Sequence, residues 1–427
     1  MTAEVGVLNS LGVALAADSA VSIGRDADKI YTSANKIFQL SCAAPVAVMV
    51  YGNANLVEMP WETIIKVYRK QLGDTCFDTV REYAEDLIAF LTSGSHGMFP
   101  KKDQDQHTAM VVYSVFEEIA KSIQNRLTAE ARAGNEFEDS DIAELLHEQV
   151  SDFLGYIREV DFLSGFIKDD LPRVQKRYGK EIGEIGRALF GDDLARKTLT
   201  ALRKLGSEVL CRNVPTHQRS GVVVAGFGEK QYMPAIIAHD IEEMALGRLR
   251  YVESGENKIG EDSTALIMPF AQGEMVHSFM EGIDEMLLDF METSTKDLFT
   301  GAVDEIVRLV GAADPELGKN LEDTFVPIVP TLLGSLTEQW KKRRGNYWKP
   351  VVSITGSLPK DEIAAMAEAL VNLTKFRRRV TTDRETVGGP IDVAVITKGD
   401  GFVWVKRKHY FSPEYNPRVI ARYEQGG

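Results

Sequence analysis

Cysteine is scarce in this chain: Cys42, Cys76 and Cys211 are the only three, scattered singly and without a CxxC pair. That excludes a disulfide framework and a thiolate zinc site, and a reducing cytoplasm fits best. Positive charge is also short, 49 Lys and Arg against 63 Asp and Glu, a net charge of -14. Such a chain repels nucleic acid as a whole, so nucleic acid is not an expected partner. No apolar run approaches the ~18 residues of a membrane span, and the N-terminus lacks the basic start and cleavage site of a signal peptide, so no membrane association is expected. A complete dinucleotide fingerprint is missing; GFGE at 226–229 reads as a strand turn. His239-Asp240 with Glu242 and Glu243 has no tetrahedral ligand spacing. Neither a cofactor nor a metal is expected.

Apolar residues make up 44% of the chain and aromatics 8%, ordinary for a globular protein. The 427 residues hold two or three average domains, or one core with large insertions. The two ends look like sheet. Residues 3–8 and 13–17 are short apolar runs around Asn9-Ser10-Leu11-Gly12, a hairpin signal, and KIFQL at 36–40 and PVAVMVYG at 45–52 continue as two more strands. Further strands are expected in GVVVAGFG at 221–228, ALIMPF at 265–270, IDVAVIT at 391–397 and FVWVKRK at 402–408. Between 55 and 93 the apolar spacing predicts two amphipathic helices covering one face of the first sheet. Two helical blocks, 97–220 and 284–356, interrupt the sheet protein, with MFPKKDQDQH at 98–107 expected as a surface loop and GAADPELGKN at 311–320 as a break. The ends then pair in one sheet, which spares their edges. The expected division is 2–96, 221–283 and 357–427 as an α/β (α+β) core, with 97–220 and 284–356 as insertions.

Three stretches, GVALAADSAVSIG, SANKIFQL and PVAVMVYGNA, in that order, resemble the start of proteasome β-type subunits and bacterial proteasome-like peptidases, which are N-terminal-nucleophile hydrolases. Near the other end VGGPIDVAVITKGDGFVWVKR is similar to that family's closing hairpin, and PKDEIAAMAEALVNL at 359–373 to the helix before it. The resemblance covers about half the chain, 2–96, 221–283 and 357–408, and neither helical block. It implies a four-layer αββα sandwich and a threonine-type hydrolase acting on peptide or amide bonds, with Thr2 exposed once Met1 is removed.

The chemistry suits the residue types. A Thr hydroxyl is a weak nucleophile and needs an adjacent base, which an N-terminal Thr carries as its own α-amine. That amine has a pKa of about 7.7–8.0, so much of it is neutral at working pH. By the resemblance, Lys36 is the ammonium that lowers this pKa further, Asp18 is its carboxylate partner, and the backbone N–H of Met49 stabilises the oxyanion. Taken alone, Asp18 also reads as a turn cap and Lys36 as a solvated edge residue. Val21, Ser22, Ala47 and Tyr51 line the expected substrate pocket, or simply pack. Departures accompany the match. Arg384 and Val387 occupy the positions where the family places an Asp and a Ser near the amine, and sliding by one residue restores Asp383 and Thr386. Gln272 stands where another family Ser would be.

KKRR at 341–344, beside Trp340, Tyr347 and Trp348, reads as a solvated helix end before it reads as a patch for an acidic partner, and RRR at 377–379 as exposed or at a subunit contact. Three functions stay open: a peptidase acting on peptide or protein, a non-catalytic β-type scaffold, and a small-molecule amidase. A homo-oligomer is expected, and an ATPase or another partner at the helical insertions remains an open expectation.

Overall fold

Asn9-Ser10-Leu11-Gly12 turns the chain as the sequence predicts, joining β1 (Ala3–Asn9) to β2 (Gly12–Ala17). The computed structural model describes all residues except 1, 24–28, 94–96, 133–137, 217, 261–262, 382–386, 419–420 and 422–427. The chain divides into two units, each assembled from separated segments: Met1–Thr32, Ile259–Val395 and Trp404–Lys408 in the first, and Ser33–Lys258, Ile396–Val403 and His409–Gly427 in the second.

The first unit adds a small hairpin, β3 (Val21–Ile23) and β4 (Lys29–Tyr31). The second begins with β5 (Ile37–Gln39), β6 (Val46–Gly52) and the short β7 (Asn55–Leu56) and β8 (Met59–Pro60). Among the described residues six α-helices follow: α1 (Trp61–Leu72), α2 (Val80–Thr92), α3 (Lys101–Arg132), α4 (Asp139–Glu159), α5 (Leu171–Phe190) and α6 (Arg196–Cys211). Then come β9 (Ser220–Gly226), β10 (Ala235–Ala245) and β11 (Arg248–Lys258). Back in the first unit are β12 (Ala265–Ala271), α7 (Glu274–Glu281), α8 (Glu285–Ala313), α9 (Pro315–Phe325), α10 (Ile328–Thr355) and α11 (Lys360–Val380). The last strands are β13 (Asp392–Thr397) and β14 (Gly401–Lys406). The protein is thus mixed α and β, and both large sheets contain antiparallel pairs.

Among the described residues each large sheet has five strands, in the orders β12-β1-β2-β13-β14 and β11-β10-β9-β6-β5. The two ends of the chain do pair, β2 beside β13. The first four expected strands, however, do not share one sheet: β1 and β2 belong to one and β5 and β6 to the other. In the first unit Ala3, Val5, Val7, Ala14 and Ala16 face Ile363, Ala367 and Val371 of α11. Alternation puts the small residues of β1 and β2 on one face, so the helix lies close. Helix α11 has Asp361 and Glu362 in its first turn and three arginines in its last, both favourable to its dipole. Asn9 donates to the carbonyls of Thr355 and Leu358 and so satisfies the end of α10.

In the second unit Phe38, Val48, Val50, Val222 and Val224 form the face covered by α1 and α2, a cover expected over a sheet that also held β1 and β2. Helix α2 starts at a capping box, Thr79 with Glu82. A separate apolar cluster holds α3 to α6 together around Phe116, Val150, Ile157, Leu202 and Leu205, and it includes Ala245 at the tip of the β10–β11 hairpin. That hairpin was not expected, because HDIEEMA and ESGENK read as polar. Its charges are buried and paired. Arg250 bonds Glu242 at 2.7 Å and donates to the carbonyls of Val209 and Leu210, the terminal turn of α6. The expected surface loop at 98–107 is also corrected: α3 begins at Lys101, and His107 is buried.

His107 joins three elements. Its Nδ1 lies 3.1 Å from Glu243 of β10 and its Nε2 2.9 Å from Glu58, between β7 and β8. The hydrogen bond with Glu243, reinforced by Glu58, outweighs burial and pushes the imidazole up to about 9. A folded pKa above the unfolded value of about 6.5 stabilises fully below that value, and the contribution is lost as pH rises through about 9. His107→Gln should therefore lower stability by about 2 kcal/mol at pH 6 to 7, and the gap to wild type should close by about pH 10. Denaturant midpoints across that range check it; a gap independent of pH would contradict the assignment.

Candidate active site

Thr2 enters the first unit immediately before β1 and is buried. Its hydroxyl donates to Glu4 at 3.1 Å, and its carbonyl accepts the N–H of Gln272, just past β12. Strand alternation explains the first contact, since residues two apart share a face. Glu4 is fully buried on a strand that is otherwise nearly all apolar. Sequence reasoning passed over it; the available signal was a lone carboxylate in AEVGVLN.

Asp18 follows β2 and organises the surroundings. One oxygen accepts the N–H of Ala3 at 3.2 Å, and the other those of Ala20 at 3.2 Å and Gly388 at 2.8 Å. Ser19 returns the contact: its N–H donates to the Gly388 carbonyl and its hydroxyl to that of Pro390. Gly389 takes φ +76, and a Cβ there would sit 2.6 Å from Thr32 Cβ, so no other residue fits so close an approach. Thr2 and Asp18, expected together, are thus brought to the same end of β1 and β2.

Gln272 completes this edge. Its Oε1 accepts from Arg378 at 3.0 Å, which fixes the amide orientation because a guanidinium only donates. Its Nε2 is buried and has no hydrogen-bond partner among the described residues. Arg378 also pairs with Glu274, and Arg377 with Asp284, so the arginines expected to be exposed include two that tie α11 to its own unit. Val387 packs in the apolar cluster against α11. Val21 and Ser22 lie on β3, Val21 half-buried. Asp383, Arg384 and Thr386 lie outside the described residues.

Lys36, Ala47, Met49 and Tyr51 belong to the second unit. Lys36 is buried just before β5, and its carbonyl accepts the N–H of Val50 at 2.9 Å. Ala47 is buried on β6. Tyr51 donates to Asp240 at 3.4 Å, and its ring occupies the space where a Cβ on Gly221 would fall. Met49 lies within β6, opposite Ile37 on one side and Val223 on the other. Val50 donates toward β5 and Asn53 toward Arg219. Alternation then turns the N–H of Met49 toward Val223, inside the ladder. An amide so engaged is no open oxyanion donor, and that expected role is withdrawn.

The three cysteines are free, and burial pushes the Cys211 thiol up to about 12. No group of His, Cys, Asp and Glu among the described residues is arranged to hold a metal ion. No helix among them is long and apolar enough to cross a membrane.

No family model matches the chain, and no curated protein matches it. Similar solved structures include Anbu (ancestral beta-subunit) from Yersinia bercovieri, 10% identical, covering 99% of this chain and 97% of its own, at TM-score 0.30. An Anbu mutant from Hyphomicrobium sp. strain MC1 is 8% identical over 100% of this chain and 94% of its own, at TM-score 0.31. Likeness at that level places the chain in no family. The assignment to proteasome β-type subunits and bacterial proteasome-like peptidases, made on the segments quoted above, is overturned by these findings.

The Asp18 cluster makes a direct prediction. Asp18→Ala strands three buried N–H groups, each costing about 1–3 kcal/mol, so stability should fall by at least about 3 kcal/mol. Asp18→Asn should recover only part of it, because an amide nitrogen cannot accept. Chemical denaturation measures both, and a loss under about 1 kcal/mol in Asp18→Ala would mean those N–H groups find other acceptors.

Proposed function

We propose that the chain is a hydrolase of amide bonds whose nucleophile is Thr2, freed by removal of Met1. The observation that carries this reading is the buried Thr2 hydroxyl held on the Glu4 carboxylate, with the adjoining backbone anchored by Asp18. A nucleophile must be held in one orientation, and two buried carboxylates within the first eighteen residues are a costly way to build an ordinary strand. In the proposed reaction the Thr2 oxygen attacks the amide carbon and its proton passes to the free α-amine. The amine returns that proton to the departing nitrogen, and water then hydrolyses the ester left on Thr2. Glu4 orients the hydroxyl. The Nε2 donor of Gln272, which has no partner among the described residues, supports the site as one that accepts a polar group.

The finer reading keeps the expected four-layer αββα architecture and gives Lys36 the role of the ammonium that serves Thr2. Peptides are the substrate class this reading expects first, small amides the next. The burial of Thr2 and the engaged Met49 N–H favour a second reading, a non-catalytic scaffold.

A threonine-directed electrophile, with the adduct mapped by mass spectrometry on untagged protein, separates the two. The hydrolase forms an adduct on Thr2 and has lost Met1; the scaffold forms none. Thr2→Ala should lower hydrolysis by several orders of magnitude with the fold retained, since nucleophile and base act as one unit. Retained turnover in that variant would end the proposal. Lys36→Ala should be nearly inactive, and Lys36→Arg should not rescue it, because a planar fork replaces a point charge. A tag fused before Thr2 should give folded, inactive protein, while one after Gly427 leaves activity unchanged.

A further inference from the structure

Helix α8 is 29 residues long and contains no buried residue. Met286, Leu298 and Phe290 are 79%, 73% and 66% exposed, and Leu287, Ile306 and Leu309 are at least half exposed. The other helical block behaves differently, because α3 to α6 bury their apolar faces in a core of their own. An apolar helix of this length is not sustained in water by backbone propensity alone. The support within its own unit is narrow. Gly311 and Gly318 let α8 and α9 approach, a Cβ on Gly318 falling 2.5 Å from Gly311 Cα, and Tyr347 of α10 packs on Gly282.

With Met291 and Phe299, α8 has eight exposed large apolar side chains; at roughly 100 Å² each they amount to on the order of 800 Å², more than a monomer usually shows and close to one side of a stable protein interface. Charge indicates the occupant. Helix α8 carries six acidic and two basic residues, whereas α10 carries Lys341, Lys342, Arg343, Arg344 and Lys349 against Glu338 alone. Lys341 and Arg344 are paired locally, with Glu338 and Glu281. Arg343 lies over the half-exposed Tyr347 ring and Lys349 over the Trp348 ring, and Lys342 is on the same helix. One chain therefore presents an acidic apolar helix and a basic aromatic one, a self-complementary pair. An anionic membrane would attract α10 but repel α8.

We propose that α8 to α10 form a docking surface for a second copy of this chain, with α8 of each copy lying along α10 of the other about a two-fold axis. This is independent of the hydrolase reading. Sedimentation of the full chain at micromolar concentration should show a dimer. Phe290→Asp with Leu298→Asp should give a monomer that keeps the helical circular dichroism of wild type. Lys342→Glu with Arg343→Glu should weaken association at least tenfold, and adding Asp289→Lys with Glu292→Lys in the same chain should restore it. Should the apolar variant unfold, amide exchange on wild type decides, because residues 285–313 must become more protected as concentration rises. A wild-type monomer, a dimer indifferent to both sets of substitutions, exchange independent of concentration, or protection of 285–313 by phosphatidylserine vesicles alone would each overturn the proposal.

Discussion

The carboxylate of Asp18 is the constraint on which the first unit depends. Its two oxygens take N–H groups from the start of β1, from the turn after β2, and from Gly388, which is 370 positions further along the chain. Bringing such distant segments together costs loop-closure entropy that grows only slowly with length, so a few charge-assisted bonds in a buried place suffice to hold the ends. Once Gly388 is anchored, β13 is delivered beside β2, and α11, which precedes it, lies over β1 and β2. The position of Thr2 follows from the same bonds. Its neighbour Ala3 is fixed by Asp18 and its carbonyl by Gln272, so the hydroxyl has little freedom except toward Glu4.

The second unit uses buried charge in a related way. Glu242, Glu243 and Arg250 lie on the β10–β11 hairpin, yet each bonds a group outside it: Thr216 and Arg219 for Glu242, Val57 and His107 for Glu243, the end of α6 for Arg250. A buried charge removed from its partner costs several kcal/mol, so these pairs admit one register between hairpin and helices. The helical block is thereby an integral part of its unit. The apolar cluster agrees, since Leu246 and Val252 of the hairpin pack with α3 to α6.

Apolar patterning explains which elements were legible in the sequence. β1, β2, β6, β9, β12 and β13 are short apolar runs closed by turn residues, and α1 and α2 show clean helical spacing; all were expected near their observed bounds. The hairpin of β10 and β11 and the first turns of α3 were missed for one reason. Their polar residues are not solvated but paired in the interior, and pairing depends on partners far away in sequence. Resemblance to a known family ordered the segments but did not survive comparison. Thr2 and Asp18, paired in the sequence by that resemblance alone, lie at the same end of β1 and β2. Glu4 was missed because a carboxylate in an apolar strand has no local signature of function, and Met49 was misassigned because ladder parity is invisible without the register.

The two helical blocks, alike in the sequence as helical insertions, have opposite energetics. Helices α3 to α6 bring their own core and are pinned by ion pairs to the strand system that carries them. Helices α8 to α10 have almost no core: α10 buries only Val329, Gly345 and Thr355, and α8 nothing. Burial of apolar surface is the main term opposing chain entropy, at about 25 cal/mol per Å². A segment that leaves its large apolar side chains in water lacks that term and must recover it outside its own fold. The acidic and basic helices set side by side in the second block supply a partner surface of the right sign, so the missing burial is most simply recovered against the same pair of helices in another copy.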